Sequence, residues 1–258
     1  MSAFEIFLWG AFPYISLAVL VVGLIWRYRT DKFGWTTRSS ELHEHAILRA
    51  ASPMFHVGIL MVAGGHFVGL LIPNTWTEAV GISEEAYHLG ATVLGTFAAV
   101  LTIAGIVALI YRRRRNRSVF LATTTNDKIM YVFLAVPIAL GTWATVQNQI
   151  FGGAHGYDYR STISPWLRSV FILQPDIALM EDVPLSFKLH VLSGFLLLLI
   201  WPFTRLVHVL SAPLGYTTRP YVVYRSREAN VSASPEERGW DPVSTGARKS
   251  DDARSRGA

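Results

Sequence analysis

The chain has no cysteine among its 258 residues. This absence excludes iron–sulfur clusters, covalent attachment of c-type haem, thiol redox chemistry and disulfide bonds, because each of them requires cysteine sulfur. Electrons that pass through such a chain would have to be supplied or received by a separate polypeptide. The sequence also has no evident internal repeat, so nothing in it favours a transporter built from inverted repeats.

Charged residues are scarce in five long apolar segments. The chain is 51% hydrophobic with a mean hydropathy of +0.33, which is typical of a membrane protein. A membrane-spanning helix needs about 20 apolar residues. We therefore predict an all-α membrane protein with five transmembrane helices in a bundle, over residues 4–26, 52–72, 86–111, 129–151 and 185–210. The first lacks a basic n-region and is too long for a cleaved signal, so we expect it to be retained.

Lysine and arginine are absent from the second connection, residues 73–85, but abundant in the first and third. By the positive-inside rule this asymmetry predicts an outer N-terminus and a cytoplasmic C-terminus. We interpret the run from Arg112 to Arg115 as an anchor at anionic lipid headgroups. The net charge of +5 follows from the same distribution, so it does not indicate nucleic-acid binding.

The character of the sequence changes after residue 210. Residues 211–225 keep enough aromatic and branched side chains to pack on a partner or on the membrane surface. Residues 226–258 are rich in serine, glycine, arginine and acids, and we predict that they are disordered. The predicted organisation is thus a membrane domain over 1–225 and a cytoplasmic tail over 226–258. In the long outer connection, residues 164–173 are predicted to form a short interfacial helix, either capping a site or packing against headgroups alone.

Four histidines lie inside the predicted spans, where ionisable residues are rare and indicate function. At 1.5 Å per residue, His66 and His190 lie about 9 and 8 Å from the outer ends of the second and fifth spans. His56 and His208 lie about 6 and 3 Å from the inner ends of the same two spans. Because His190 and His208 are separated by about five helical turns, we expect both on one helix face. The depths predict two pairs, His66 with His190 and His56 with His208.

Paired neutral imidazoles in an apolar slot suit the axial ligation of haem iron, with one ring nitrogen giving a lone pair from each side. A zinc or copper site would need three or four ligands at one depth. A lone histidine in a span is often a hydrogen-bonded packing residue, but four at matching depths make that interpretation a poor one. The pattern therefore predicts two b-type haems, one near each face of the membrane.

Glycines accompany three of these histidines. Gly64, Gly65 and Gly69 surround His66, while Gly58 follows His56 and Gly194 lies one turn beyond His190. Such small residues allow the close approach of a planar macrocycle, and they equally allow two helices to pack closely. Both interpretations remain open from the sequence.

The other histidines have different predicted roles. We expect His43 and His45 to be solvated in the inner connection and His155 to be structural in a glycine-rich turn. His88 lies at the outer end of the third span. It is a candidate acceptor for the proton that a quinol hydroxyl must lose as its electrons leave. An interfacial histidine that faces headgroups is the alternative.

Several of these stretches resemble the gamma subunit, a di-haem cytochrome b, of membrane-bound respiratory nitrate reductases. The resemblance extends over residues 1–225 and is most specific in the two histidine-bearing spans. The matching stretches are 55–60, 65–69, 122–125, 187–190 and 201–208.

The resemblance implies that His66 and His190 hold the outer haem and that His56 and His208 hold the inner one. It also implies a site for menaquinol or ubiquinol near the outer haem, involving Gly65 and His66. The family has a lysine at the outer start of the third span, whereas residues 79–90 of this chain contain none. His88 is the nearest candidate for its role.

The resemblance further implies two partners: a cytoplasmic Fe–S beta subunit and a molybdopterin alpha subunit that reduces nitrate. The chain would then be a multi-pass protein of a bacterial or archaeal-type cell membrane that oxidises quinol and delivers electrons inward. A di-haem membrane subunit of a related quinone-linked sulfite- or heterodisulfide-type reductase is an alternative. A transporter or a membrane anchor without haem is another, although an anchor gives the four histidines no purpose.

Overall fold

A computed structural model describes residues 2–31, 40–152 and 156–211. Within these ranges every regular element is helical. Five helices are long and apolar enough to cross a membrane, as predicted, and a sixth, shorter helix lies in the long connection. We label them α1 (Ala3–Thr30), α2 (Ala46–Leu71), α3 (Glu84–Arg115), α4 (Thr125–Gln147), α5 (Ile163–Phe171) and α6 (Leu185–Phe203). Helices satisfy their own backbone hydrogen bonds, which a lipid environment requires.

Three of the predictions lie outside the described residues: the role of His155, the packing segment 212–225 and the disordered tail 226–258. The described part of the chain forms one helical unit. Long helices that follow one another along the chain run in opposite directions, whereas α1 and α6 run in the same direction and meet at their C-terminal ends, where Arg27 donates to the Pro202 carbonyl. Each end of the unit therefore contains termini of several helices.

Charge differs between the two ends of the helical unit. Arg27, Arg29 and the run from Arg112 to Arg115 lie in the last turns of α1 and α3. We call this the basic end. At the opposite, acidic end, Glu84 and Glu85 occupy the first turn of α3. Cations at helix C-termini and carboxylates at N-termini also interact favourably with the helix dipole.

Helices α2 and α3 pack closely because glycines remove side chains from the contact. A Cβ atom at Gly58 would lie 2.6 Å from the backbone nitrogen of Thr102. A Cβ atom at Gly105 would lie 2.5 Å from the backbone nitrogen of Phe55. Such distances leave no room for a larger residue, so helix packing is the role of Gly58.

Helix α5 confirms the predicted short helix and packs into the acidic end through Trp166, which is 1% exposed. The Trp166 ring meets Trp9 of α1 edge-on, with 5.8 Å between centroids, and Phe195 of α6 in the same manner at 6.1 Å. Edge-to-face aromatic pairs add to the stabilisation from buried area. Packing against headgroups alone is therefore not the role of this helix.

The same helix also satisfies backbone groups where α1 and α2 loosen into π-helical turns, at Phe7–Ala11 and Phe67–Leu71. The indole Nε1 of Trp166 donates to the Trp9 carbonyl at 3.1 Å. The Ser164 hydroxyl donates to the Gly69 carbonyl at 2.8 Å, and Arg168 donates to the Leu70 carbonyl at 3.1 Å. Buried carbonyls need such partners, so α5 stabilises both π-helical segments.

Arg160 fixes the connection before α5 to the start of α3. Its guanidinium is 3.0 Å from a carboxylate oxygen of Glu84 and lies 3.9 Å above the Tyr87 ring. The Tyr87 hydroxyl is 3.2 Å from that of Tyr159, and burial raises the pKa of Tyr159. Tyr159 therefore stays a neutral hydroxyl that can donate a hydrogen bond.

Part of the arginine run at the end of α3 contacts protein groups, whereas the sequence was interpreted as a lipid anchor. Arg112 is buried and donates to the Glu44 carboxylate at 2.5 Å and to the Ser40 hydroxyl at 2.8 Å. Arg113 donates to the Tyr131 hydroxyl at 3.0 Å. These two arginines hold protein segments together, which leaves the exposed Arg114 and Arg115 to meet headgroups.

The fifth span is not one continuous helix, contrary to the prediction over 185–210. Its α-helical part ends at Ile200, a 3₁₀ turn follows over Trp201–Phe203, and a second 3₁₀ segment covers Arg205–Ser211. Pro202 lacks a backbone N–H and its ring clashes with the preceding turn, so an α-helix does not continue through it. The helical phasing between His190 and His208 was therefore wrong, because the α-helix ends at Ile200, before His208.

We predict that Trp166→Ala lowers the stability of the solubilised protein by about 3–5 kcal/mol, because the substitution empties a buried site and removes a donor. The apparent melting temperature in detergent measures this loss. Trp76→Ala is the matched control, since that ring is 68% exposed. Equal shifts for the two variants would contradict the buried position of α5.

We predict a pH-dependent contribution from Glu44, whose pKa is lowered by the backbone N–H of Ile47 and then by Arg112. The carboxylate stabilises the fold fully above its unfolded pKa of about 4.3, and this contribution is lost as the pH falls through the lower folded pKa. The difference in melting temperature between the unmodified chain and Glu44→Gln should therefore shrink from pH 7 to about pH 3.5. A difference that stays constant would contradict this assignment.

Candidate metal centre formed by paired histidines

At the acidic end, the rings of His66 on α2 and His190 on α6 face each other. Their Nε2 atoms are 3.4 Å apart, and the ring centroids are 5.7 Å apart with an interplanar angle of 48°. The two residues are 124 positions apart in sequence, so only the tertiary fold brings them together. We call this pair the acidic-end site.

Backbone carbonyls orient both rings of this site. The Nδ1 atom of His66 lies 2.8 Å from the Val62 carbonyl, one turn earlier in α2, and that of His190 lies 3.0 Å from the Pro137 carbonyl of α4. A carbonyl only accepts hydrogen bonds, so we assign the proton of each neutral ring to Nδ1. Each Nε2 then carries a lone pair, and the two lone pairs point toward one another.

Gly141 of α4 makes room for the His190 ring. A Cβ atom at this position would lie 2.7 Å from Cε1 of His190. The ring therefore rests against bare helix backbone, one turn after the Pro137 carbonyl that accepts its Nδ1–H. The sequence analysis did not identify Gly141. The signal it could have used is a proline and a glycine spaced four residues apart in the fourth span.

At the basic end, His56 of α2 and His208 of the last 3₁₀ segment form the second predicted pair. Their ring centroids are 6.3 Å apart with an interplanar angle of 73°. The Nδ1 atom of His56 lies 2.7 Å from the Ser52 carbonyl, and that of His208 lies 2.7 Å from the Arg205 carbonyl. The hydrogen-bonding scheme is the same as at the acidic end. We call this pair the basic-end site.

The two helices that carry the histidines are not each other's main packing partners. Helix α2 packs along α3, whereas α6 packs against α4 and α1. A Cβ atom added at Gly64, Gly65 or Gly194 would meet no atom within 4 Å. The backbone around the acidic-end site is therefore bare and open on these sides.

The glycines of the sequence analysis thus divide into two groups. Gly58 and Gly69 are packing residues, since a Cβ atom at Gly69 would lie 2.8 Å from the Tyr159 hydroxyl. Gly64, Gly65 and Gly194 have open surroundings, which suits the approach of a flat molecule. The two interpretations that the sequence left open each apply to part of the set.

Comparison with known proteins identifies the family that this chain resembles. The chain matches the nitrate reductase gamma subunit family over residues 5–227. It is 44% identical to the nitrate reductase gamma chain of Bacillus subtilis over 220 residues, covering 85% of this chain and 97% of that one. It is 33% identical to the respiratory nitrate reductase 2 gamma chain of Escherichia coli over 224 residues, covering 86% and 97%.

The chain belongs to the nitrate reductase gamma subunit family. The resemblance seen in the sequence is confirmed. A further relative is the nitrate reductase-like protein NarX of Mycobacterium tuberculosis, which is 54% identical over 232 residues. The match covers 90% of this chain and 35% of NarX, so the chain spans about a third of the length of that relative.

The residues of this chain fit a haem better than a bare metal ion. In the described part of the chain, no group of three or more histidine or acidic side chains could hold a metal. Haem brings its own four ring nitrogens and needs only axial ligands. The facing Nε2 atoms of His66 and His190, 3.4 Å apart, are the nitrogens that would hold its iron.

The residues predicted for the quinol site of a gamma subunit lie at the acidic end. Gly65 directly precedes His66 and presents bare backbone there. His88 lies on α3, close to its start, and is half-buried. Its ring makes no hydrogen bond or ion pair with the described residues. His43 and His45, at the basic end, are exposed as expected.

We predict that Gly141→Ala destabilises the solubilised protein by about 1–3 kcal/mol, because the new methyl group would displace His190 from its carbonyl partner. Gly95→Ala of α3 is the matched control, since a Cβ atom there meets nothing within 4 Å. The control should gain up to about 1 kcal/mol from the better helix propensity of alanine. Melting temperatures in detergent measure both changes, and a stabilised Gly141→Ala variant would contradict the close contact.

Proposed function

We propose that this chain is the quinol-oxidising cytochrome b subunit of a respiratory nitrate reductase, with one b haem held between α2 and α6 and a second between α2 and the 3₁₀ segment Arg205–Ser211. One observation carries the proposal: at all four paired histidines Nδ1 lies against a backbone carbonyl, which places the ring proton on Nδ1 and the lone pair on Nε2. Membership of the gamma subunit family supports it. When bound, the haems supply one-electron transfer between the two ends of the bundle.

His66 and His190 would hold one haem, and His56 and His208 would hold the other. The carbonyl bonds hold each ring in the ligating tautomer and raise the basicity of its Nε2. The bare backbone at Gly64, Gly65 and Gly194 leaves space beside the acidic-end site for a planar group.

The positive-inside rule supports an orientation with the acidic end outside and the basic end in the cytoplasm. The His66–His190 pair is then the outer site and the His56–His208 pair the inner one. Electrons that move inward from the outer site carry charge across the membrane. Each charge moved against the potential corresponds to about 2.3 kcal/mol per 100 mV.

Quinol oxidation at the outer site releases two electrons and two protons for each quinol. The quinol, menaquinol or ubiquinol, would bind beside Gly65 and His66, where the absence of a Cβ leaves the backbone accessible to a flat ring. His88 would accept a proton, since an imidazole can take one up at neutral pH. Protons released there leave on the outer side.

The electrons must leave through another polypeptide, because this chain has no cysteine to hold an iron–sulfur cluster. We propose that the receiver is a cytoplasmic Fe–S beta subunit docked at the basic end. It passes the electrons to a molybdopterin alpha subunit, where nitrate is reduced. Nitrate reduction therefore takes place in the alpha subunit and not in this chain.

We predict that the full chain, purified in detergent, shows low-spin b-type bands that sharpen on reduction with dithionite, at about two haems per chain. His66→Ala or His190→Ala should reduce this to about one haem and abolish reduction by quinol, because the ligand of the outer site is lost. Optical spectra and a haem assay measure the result.

His56→Ala or His208→Ala should give the complementary result. The outer haem stays reducible by quinol, while electron transfer to the partner subunits stops. His43→Ala is the matched control, because that ring is exposed at the basic end and faces neither site. A colourless unmodified chain, or four histidine variants that all retain both haems, would sink the ligand assignment.

A further inference from the structure

The basic-end site depends on a segment that is not part of a regular α-helix. His208 lies on the 3₁₀ segment Arg205–Ser211, which follows the break of α6 around Pro202. Short 3₁₀ segments have weaker hydrogen-bond geometry than α-helices. The break also leaves carbonyl groups without helical partners inside an apolar bundle. Something outside the segment must hold it in place.

Arg27, in the last turn of α1, supplies donors to the break. Its Nη1 atom donates to the Pro202 carbonyl at 2.7 Å and to the Thr204 carbonyl at 2.6 Å. The guanidinium side chain is 14% exposed, so these hydrogen bonds are largely shielded from water. Hydrogen bonds from a charged donor are shorter and stronger than neutral ones. One side chain thus bridges the two sides of the break.

Two neighbours fix the same break by packing and by hydrogen bonding. A Cβ atom at Gly23, one turn before Arg27, would lie 2.8 Å from the Pro202 ring, so α1 contacts the proline directly. From α4, the amide of Asn126 donates to the Phe203 carbonyl at 2.8 Å. The broken end of α6 is therefore held from both sides.

A second set of contacts reaches His208 itself. Asp127, in the first turn of α4, lies 3.0 Å from the guanidinium of Arg205. The carbonyl of that same Arg205 accepts the Nδ1–H of His208 at 2.7 Å. Asp127 is itself fixed in the capping box with Thr124. The position of Arg205 therefore sets the direction in which the His208 lone pair points.

We propose that Arg27 is a positioning residue for the inner haem ligand His208, acting on the broken end of α6 together with the Asp127–Arg205 ion pair. The proposal rests on the proposed function, since it concerns a ligand of that haem. Arg27 does not touch the ligand ring; it fixes the backbone from which the 3₁₀ segment starts. The outer site does not involve this break, because His66 and His190 both lie in α-helix before it.

The test compares Arg27→Gln, Arg27→Lys and Arg29→Gln in the full chain purified in detergent. The readouts are the haem content per chain and a redox titration that resolves the two haems. Arg27→Gln should weaken retention of the inner haem about 10- to 100-fold, the usual effect of losing a residue that orients a metal ligand. Arg27→Lys should recover part of it, because an ammonium keeps the charge without the planar fork.

The matched control is Arg29→Gln, which removes an exposed arginine from the same turn of α1. It should leave both haems unchanged. Asp127→Asn keeps the cap of α4 but loses the charge that pairs with Arg205, so it should shift the potential or occupancy of the inner haem alone.

An Arg27→Gln chain with two haems and an unchanged inner potential would overturn the proposal. Equal loss of both haems would overturn it as well, because Arg27 would then support the whole bundle rather than one site. An unmodified chain without haem would instead refute the proposed function, a result that is visible before any variant is made.

Discussion

The hydrogen bond from an imidazole Nδ1–H to a backbone carbonyl is the interaction on which the site geometry depends. It occurs at all four intramembrane histidines, with Nδ1–oxygen distances of 2.7 to 3.0 Å. In an apolar bundle an unpaired N–H is costly, so each ring is held in one tautomer and one orientation. The lone pair is then on Nε2, and at the acidic end the two Nε2 atoms are 3.4 Å apart. A backbone carbonyl thus orients each of the four rings.

The helix packing keeps α2 and α6, which carry histidines of the two pairs, from packing closely against each other. Helices α2 and α6 pack mainly on other helices, α3 on one side and α4 with α1 on the other. Gly58 and Gly105 allow α2 and α3 to approach closely, and Gly141 lets the His190 ring rest on α4. Helix α5 closes the acidic end by covering the π-helical turns of α1 and α2. The result is a bundle with bare backbone beside the acidic-end histidines.

The two sites are built differently although their chemistry is the same. At the acidic end both ligands lie within α-helix, and one of them uses a carbonyl of a third helix, that of Pro137. At the basic end His208 follows a break in α6 and relies on contacts from α1 and α4. Substitution of those contacting side chains can therefore change the position of His208. The geometry of the basic-end site therefore depends on side chains of neighbouring helices.

The sequence by itself determined that the chain has five long apolar helices and a short helix in the long connection, and it predicted the two histidine pairs that the structure brings together. Apolar length, charge asymmetry and axial rise are local properties, readable without the fold. The break of α6 at Pro202 is also local, since proline cannot continue an α-helix, although the prediction over 185–210 missed it. Only the tertiary structure decided that Gly141 makes room for His190 and that Arg112 is buried. Each of these depends on contacts between residues far apart in the chain, and no periodicity within one helix encodes them.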